Sequence, residues 1–234
     1  MPKPQEVPLI MASPEMQVID RAESLSQRAY QSLRKAIRDG AIVHGVLYSE
    51  KDLADRLGIS RTPVREALIE LAREGLVTIA PQRGFQLHSL SHAEQEEVYE
   101  LRLAIDSFVV EKLAQSATPD DIKQLRESIS EQRAAGKETT DALIADEQFH
   151  LLFPKLLGLE RTYGLVSTLR GAMWLLGTNA FRAPHRTEAV LDEHEAIVDA
   201  IEAHDSKSAM RAVKTHICNS LEAVRRSWAE SDDA

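Results

Sequence analysis

Residues 49–87 constrain the fold of this chain more than any other stretch, because they combine two short helical patterns with an unusual placement of charge. The second pattern begins after Ser60, a good N-cap whose hydroxyl can accept a hydrogen bond from the first turn, and it ends at Gly75. Arg61 and Arg65 lie one turn apart at the start of this helix, where like charges repel each other and the helix dipole disfavours cations. Two arginines in this place are favourable when an anion contacts them together with the helix N-terminus.

The spacing of small and apolar residues across the two patterns is that of a helix-turn-helix. Ser49 is the N-cap of the first helix, which begins at Glu50. Counting from Glu50, the fifth residue is Ala54, the ninth is Gly58 and the fifteenth is Val64. A small residue fits where two helices cross, a glycine where the chain turns left-handed, and an apolar residue where the second helix rests on the first.

A short β-hairpin is predicted directly after these helices. Residues 76–79 and 85–87 are rich in β-branched and apolar side chains, and a turn separates them. The tip of the hairpin carries Arg83 and Gly84, which suit contact with a minor groove. With a further helix over residues 22–39, the pattern predicts a winged helix-turn-helix over residues 22–90. We expect the basic face of this helix, formed by Arg34, Lys35 and Arg38, to be solvated or in weak contact with phosphate. We expect residues 1–21, which contain four prolines, to form a flexible tail.

The distribution of charge separates two parts of the chain. The whole chain has a net charge of −9, whereas residues 1–90 hold 12 Lys and Arg against 11 Asp and Glu. An acidic DNA-binding chain must work through local placement of its arginines, and a nucleoid protein with a strongly basic surface is excluded. The single cysteine, Cys218, excludes a disulfide within the chain, and no apolar run reaches the roughly 20 residues that span a bilayer. We therefore expect a cytoplasmic protein with no membrane partner.

Residues 91–234 show only helical patterns. Ser91 and Glu94 form a capping box, which marks the predicted boundary between the two domains. The helices that follow are joined by short connections and predict an antiparallel bundle of six or seven helices. The fold class is therefore mainly α. The first bundle helix carries an apolar stripe that we expect to face the core, formed by Val98, Leu101, Ile105, Phe108 and Val109.

Four polar residues occupy positions in the bundle where apolar residues belong. Asp146 and His150 lie one turn apart, and His194 and His216 belong to two further apolar stripes. A buried imidazole or carboxylate without a partner costs several kcal/mol, so each of them needs one. Hydrogen-bonded core histidines would satisfy this need. A divalent ion of the zinc, nickel or manganese kind would also satisfy it, because such ions accept nitrogen and oxygen ligands.

The run over residues 53–68, followed by Glu74-Gly75-Leu76-Val77, closely resembles the GntR family of bacterial transcription regulators. The resemblance implies contacts with double-stranded operator DNA. The residues that match the DNA contacts of the family, with Arg83 added for its place at the wing tip, are Lys51, Ser60, Arg61, Thr62, Arg65, Arg83 and Gly84.

The second half of the chain resembles the FadR-type effector domain, which is called FCD. The pattern Asp146-x-x-x-His150, then Glu193-His194 and finally His216 matches its metal-binding branch. This resemblance implies that Asp146, His150, His194 and His216 bind a divalent metal ion. A small carboxylate effector could occupy the open positions on the ion. The candidates to orient the effector are Arg102, Arg170, Asn179 and Arg182. For the three arginines an ordinary surface position is the more frequent case.

These observations predict a ligand-responsive bacterial transcriptional regulator, a repressor that acts as a homodimer and is not an enzyme. The alternative is a metal-dependent hydrolase with an appended DNA-binding domain, since three histidines and a carboxylate can activate water. Against the alternative, the chain has no His-Glu-x-x-His motif, and a DNA-binding domain would have no role in a hydrolase. The effector, the operator, the physiological metal and the choice between repressor and activator are left open, as is direct binding of the effector to the metal.

Overall fold

The computed structural model describes residues 23–81, 83–135, 139–175 and 186–232. Its N-terminal part contains three helices and a two-stranded antiparallel sheet, which confirms the predicted winged helix-turn-helix. These elements are α1 (Leu25–Arg38), α2 (Glu50–Leu57), α3 (Arg61–Arg73), β1 (Val77–Ala80) and β2 (Gly84–Leu87).

The turn between α2 and α3 follows the predicted chemistry in most of its details. The hydroxyl of Ser49 accepts hydrogen bonds from two backbone amides in the first turn of α2. Gly58 adopts the left-handed conformation at the end of that helix, with φ of 66°. Ser60 lies at the N-cap of α3, but its side chain makes no capping hydrogen bond, so that part of the prediction is wrong. Because Ser60 is exposed, water can satisfy its hydroxyl and the free amides of the first turn.

The β-hairpin is held against the start of α2 by a backbone bridge. Val77 pairs with Leu87 at one end of the sheet and Ala80 with Gly84 at the other. Tyr48 and Phe85 exchange two backbone hydrogen bonds of 2.8 and 2.9 Å. Gly84 has φ of 129°, and a Cβ atom added there would lie 2.0 Å from the carbonyl oxygen of Tyr48. Glycine is therefore required at this position by the fold of the wing itself.

Six helices form the second part of the chain within the ranges that the structure describes, which agrees with the predicted bundle. They are α4 (His92–Ser116), α5 (Pro119–Ala134), α6 (Thr139–Leu156), α7 (Glu160–Leu175), α8 (Arg186–Glu202) and α9 (Ser206–Asp232). The capping box of Ser91 and Glu94 begins α4, as predicted. The core of the bundle is a continuous apolar cluster that includes Val110, Leu113, Phe149, Phe153, Ile197, Ile201 and Val213.

The predicted apolar stripe of α4 is wrong at two positions. Val98 and Val109 are buried, but Leu101 and Phe108 are each 45% exposed. The buried face of α4 instead includes Arg102 and carries further polar side chains toward the middle of the bundle. Because the helix turns its polar residues inward at these positions, the neighbouring apolar residues face outward.

The winged helix and the bundle are in direct contact. Arg34 of α1 bonds Glu147 of α6 over 3.2 Å, so the expectation of a solvated or phosphate-contacting face is wrong for Arg34. At the end of α7, Leu175 is buried in the apolar cluster of the winged helix. Among the described residues, no helix has the length and apolar character needed to cross a bilayer. The assignment of domains to residues 22–90 and 91–234 stays a prediction.

Candidate metal centre and nucleic-acid interface

Three helices bring the four polar residues together in the middle of the bundle. Asp146 and His150 come from α6, His194 from α8 and His216 from α9. One nitrogen or oxygen atom of each lies within 4.8 Å of the others, and all four residues are buried. This geometry brings together the cluster that the sequence suggested, in a space that a single ion could occupy.

Two of the imidazoles are oriented by hydrogen bonds on their outer nitrogen atoms. Nδ1 of His194 lies 2.8 Å from Oε1 of Gln132, and Nδ1 of His216 lies 2.8 Å from Oε2 of Glu193. An oxygen acceptor at Nδ1 selects the tautomer in which Nδ1 carries the proton and leaves the lone pair on Nε2. This arrangement is typical of histidines that bind a metal through Nε2.

Three inner atoms of the cluster have no hydrogen-bond partner within the described part of the chain. They are Nε2 of His150, Nε2 of His194 and Oδ1 of Asp146. The carboxylate oxygen lies 3.8 Å from Nε2 of His150 and 3.4 Å from Nε2 of His194. Buried polar atoms without partners are costly, and a divalent ion between them would satisfy all three. The donor set therefore fits a divalent metal ion.

The protonation states also suit metal binding. Burial lowers the pKa of His150 and His194 well below the ordinary value, and it lowers that of His216 as well. Burial by itself would raise the pKa of Asp146, but positive charges, with that of Arg170 the largest, hold this pKa below its usual range. At neutral pH the cluster is therefore a carboxylate with neutral imidazoles, and these are the forms that bind metals.

Arg102 and Arg170, for which a surface position was the alternative, are both buried beside the cluster. Arg170 of α7 donates a hydrogen bond to Asp146, and Arg102 of α4 lies 3.6 Å from Oδ2 of Asp106. Burial and the neighbouring guanidinium lower the pKa of Arg102 to about 10. The other two effector candidates, Asn179 and Arg182, lie outside the described residues.

The sequence alone did not assign a role to the side chains that orient the histidines. Glu193 precedes His194 in the chain, but one residue along a helix is a rotation of roughly 100°, so the carboxylate reaches His216 instead. Arg186 holds Glu193 through two hydrogen bonds of 2.8 and 3.0 Å. Gln132 belongs to α5, and nothing in its local sequence signals contact with α8.

In the winged helix-turn-helix, the start of α3 and the wing enclose a basic groove of about 230 Å³. Ser60 and Thr62 lie exposed beside it at the start of α3. Glu50, which the sequence reasoning missed, lies 3.5 Å from Arg61 and holds that side chain across the groove. Of the predicted DNA-contacting residues, the groove is lined by Lys51, Arg61, Arg65, Arg83 and Gly84.

Fold and site together define a class of protein in which a winged helix-turn-helix is joined to a helical bundle that could hold a divalent ion. Comparison with known families agrees. Residues 25–87 match the family described as bacterial regulatory proteins, gntR family, and residues 97–219 match the FCD domain. The chain therefore belongs to the GntR family of bacterial regulatory proteins and carries an FCD domain.

Individual relatives resemble the chain over most of its length. The HTH-type transcriptional repressor RspR of Escherichia coli is 29% identical, over 92% of this chain and 95% of RspR. The uncharacterized HTH-type transcriptional regulator YdfH of Escherichia coli O6:H1 is 30% identical, over 89% of this chain and 92% of YdfH. The solved structure of Escherichia coli McbR/YncC, at 21% identity, has a TM-score of 0.77 and covers 88% of this chain and 100% of that protein, which shows the shared fold.

Proposed function

We propose that this protein is a ligand-responsive transcriptional repressor of the FadR type, whose bundle binds a divalent metal ion and a small organic-acid effector. The observation that carries the proposal is the buried cluster of Asp146, His150, His194 and His216. Inner atoms of the first three residues lack hydrogen-bond partners in the described chain. The same chain carries a basic groove at the N-terminal end of α3, the helix proposed to enter the major groove of DNA. Since operator DNA is its partner, we place the protein in the cytoplasm.

DNA recognition is assigned to the groove between α3 and the wing. Arg61 and Arg65 would contact phosphates and base edges from the N-terminal end of α3, and Arg83 would reach the adjacent minor groove. Lys51, Ser60, Thr62 and Gly84 complete the proposed contact surface. A homodimer would place two reading helices in successive major grooves of a near-palindromic operator. Leu101 and Phe108, two exposed apolar side chains seven residues apart on one face of α4, support a surface for dimerisation.

The metal ion, of the zinc, nickel or manganese class, would be held by Asp146, His150, His194 and His216. The chemistry it supplies is that of a Lewis acid, which can anchor a carboxylate in a position that the protein leaves open. Gln132 and Glu193 hold two of the imidazoles in the binding orientation. The buried guanidinium groups of Arg102 and Arg170 are the residues placed to receive the effector.

Coupling between the two sites is supported by the contacts of α6 and α7. Glu147, next to the ligand Asp146, bonds both Arg34 of the winged helix and the indole of Trp174. Helix α7 carries Arg170 at the cluster and Leu175 in the core of the winged helix. A shift of either helix on effector binding would change the position of the reading helix. Coupling energies between allosteric sites are typically about 1–3 kcal/mol, which suffices to control occupancy of an operator.

The experiment that tests this proposal combines metal analysis with DNA binding. Native mass spectrometry of the full chain should show two protein copies with one divalent ion per copy. Fluorescence anisotropy with duplexes from its own upstream region should show salt-sensitive, sequence-selective binding that a small organic acid weakens. A metal-free protein, or one that binds every duplex equally, contradicts the proposal. Steady turnover of an ester or phosphoester by the metal-loaded protein would instead favour the metal-dependent hydrolase, since we propose that the chain is not an enzyme.

A further inference from the structure

The charges buried beside the metal ligands are evenly balanced before any ion is added. Asp106 and Asp146 supply two carboxylates, and Arg102 and Arg170 supply two guanidinium groups. All four residues are 2–3% exposed, so water screens their charges poorly. The inner cluster therefore has a net charge of zero when both carboxylates are ionised.

A divalent ion changes this balance. Metal-bound imidazoles are neutral, and the nearby carboxylate of Glu193 is paired with Arg186 through two hydrogen bonds. Neither group offsets the charge of the ion, so binding leaves two positive charges in excess. Protonation of Asp106 would only increase this excess. An uncompensated charge in a protein interior is strongly unfavourable, so the loaded site needs an anion of matching charge.

The two arginines also carry donors that have no hydrogen-bond partner in the described part of the chain. These donors are Nε and Nη2 of Arg102 and Nε and Nη2 of Arg170. The remaining terminal nitrogen of Arg102 contacts only the sulfur of Met173, which is a weak acceptor. Guanidinium groups with free, buried donors are well suited to bind a carboxylate through paired hydrogen bonds.

We propose that the effector is a dianion, specifically a small dicarboxylate. Arg102 and Arg170 would bind one carboxylate through their free donors. The metal ion, when bound, would supply a Lewis acid for the other carboxylate. A dicarboxylate restores neutrality and satisfies the free donors, whereas a monocarboxylate leaves one positive charge and part of the donors unpaired. This inference rests on the proposed function, because it specifies the effector class of the same centre.

The test compares acids of equal chain length on the zinc-loaded full-length protein by isothermal titration calorimetry. The pairs are succinate with butyrate and glutarate with valerate. At least one dicarboxylate should bind about tenfold more tightly than its partner, because hydrogen bonds to charged groups contribute at least this much. Thermal unfolding supplies a second readout, in which the preferred dicarboxylate raises the melting temperature more than the monocarboxylate does. Metal-stripped protein should show neither preference.

Substitutions then locate the second carboxylate. Arg102→Gln should abolish the preference, Arg102→Lys should keep part of it because the charge remains, and Arg225→Gln, on the surface of α9, should leave it unchanged. If Arg102→Gln does not fold, the relative affinities of the four acids for the unaltered protein test the inference by themselves. Equal affinities within each pair overturn this inference and leave the proposed regulator intact. No binding of any of the four acids overturns this inference, while metal content and operator binding still test the proposed function independently.

Discussion

The basic groove of the winged helix and the buried centre of the bundle both concentrate charge, but they balance it in opposite ways. In the groove Arg61 and Arg65 are exposed, and Glu50 at 3.5 Å is a weak partner for the first of them. In the bundle Asp146 has lost contact with water and is balanced by Arg170. An exposed unpaired charge is tolerated because water solvates it, whereas a buried one requires a partner of fixed geometry. The groove is therefore accessible to a large anion, whereas the buried centre is not.

The sharpest test of the buried centre is His194→Ala, for which we expect the largest effect. Loss of one ligand should remove most of the metal and, with it, the stabilisation that binding supplies, about 4 kcal/mol if the ion is present at a thousand times its dissociation constant. Metal content and urea unfolding measure both effects. His92→Ala, at an exposed position at the start of α4, is the control for metal content, since its imidazole stacks on Trp228 and its loss also affects stability. A His194→Ala protein with full metal occupancy removes His194 from the ligand set.

Gly84→Ala separates the structural and DNA-binding roles of the wing. Because the added Cβ would lie 2.0 Å from a backbone oxygen at a positive φ, we expect a loss of about 3 kcal/mol in the free energy of unfolding. Gly164→Ala is the matched control, since nothing lies within 4 Å of its Cβ position on α7. That change should stabilise the helix by about 0.5–1 kcal/mol. Unaltered stability in Gly84→Ala would leave DNA contact as the reason for this glycine.

Arg65→Ala tests the exposed side of the comparison. Loss of this guanidinium should weaken operator binding by about 2 kcal/mol and relax the choice of base, with little change in the free energy of unfolding. Anisotropy titrations with operator and scrambled duplexes, each at two salt concentrations, measure both quantities. The control is Arg226→Ala, which removes an exposed arginine from α9. If discrimination between the two duplexes is the same in Arg65→Ala and the unaltered protein, Arg65 does not read bases.

Glu147→Gln addresses the connection between the two regions and should have the smallest effect. It weakens the contact of α6 with Arg34 while leaving the metal ligands in place. The influence of metal or effector on operator affinity should fall by about 1 kcal/mol, which is within the range for residues between coupled sites. Glu127→Gln, an exposed carboxylate on α5, is the control. If metal or effector changes operator affinity equally in both variants, the contact between Glu147 and Arg34 does not couple the two sites.

Local sequence was enough to predict most elements of the fold, because helix caps and turns depend on neighbouring residues. Ser49, Gly58 and Ser91 act in the structure as their positions in the sequence predicted. The Ser60 hydroxyl was the exception, since an exposed cap can exchange its intrahelical bond for water. The apolar stripe of α4 failed at Leu101 and Phe108, because hydropathy does not reveal that the core takes in charged side chains.

The sequence by itself determined three patterns: a helix-turn-helix spacing, arginines at the front of α3, and an Asp and three His on apolar stripes. The members of each pattern can be recognised from residue spacing within a single helix or a pair of neighbouring helices. The tertiary structure decided the rest. It placed Gln132 and Glu193 behind the imidazoles and buried Arg102 and Arg170 beside them. These contacts join residues far apart in the chain, and their direction depends on how the helices pack.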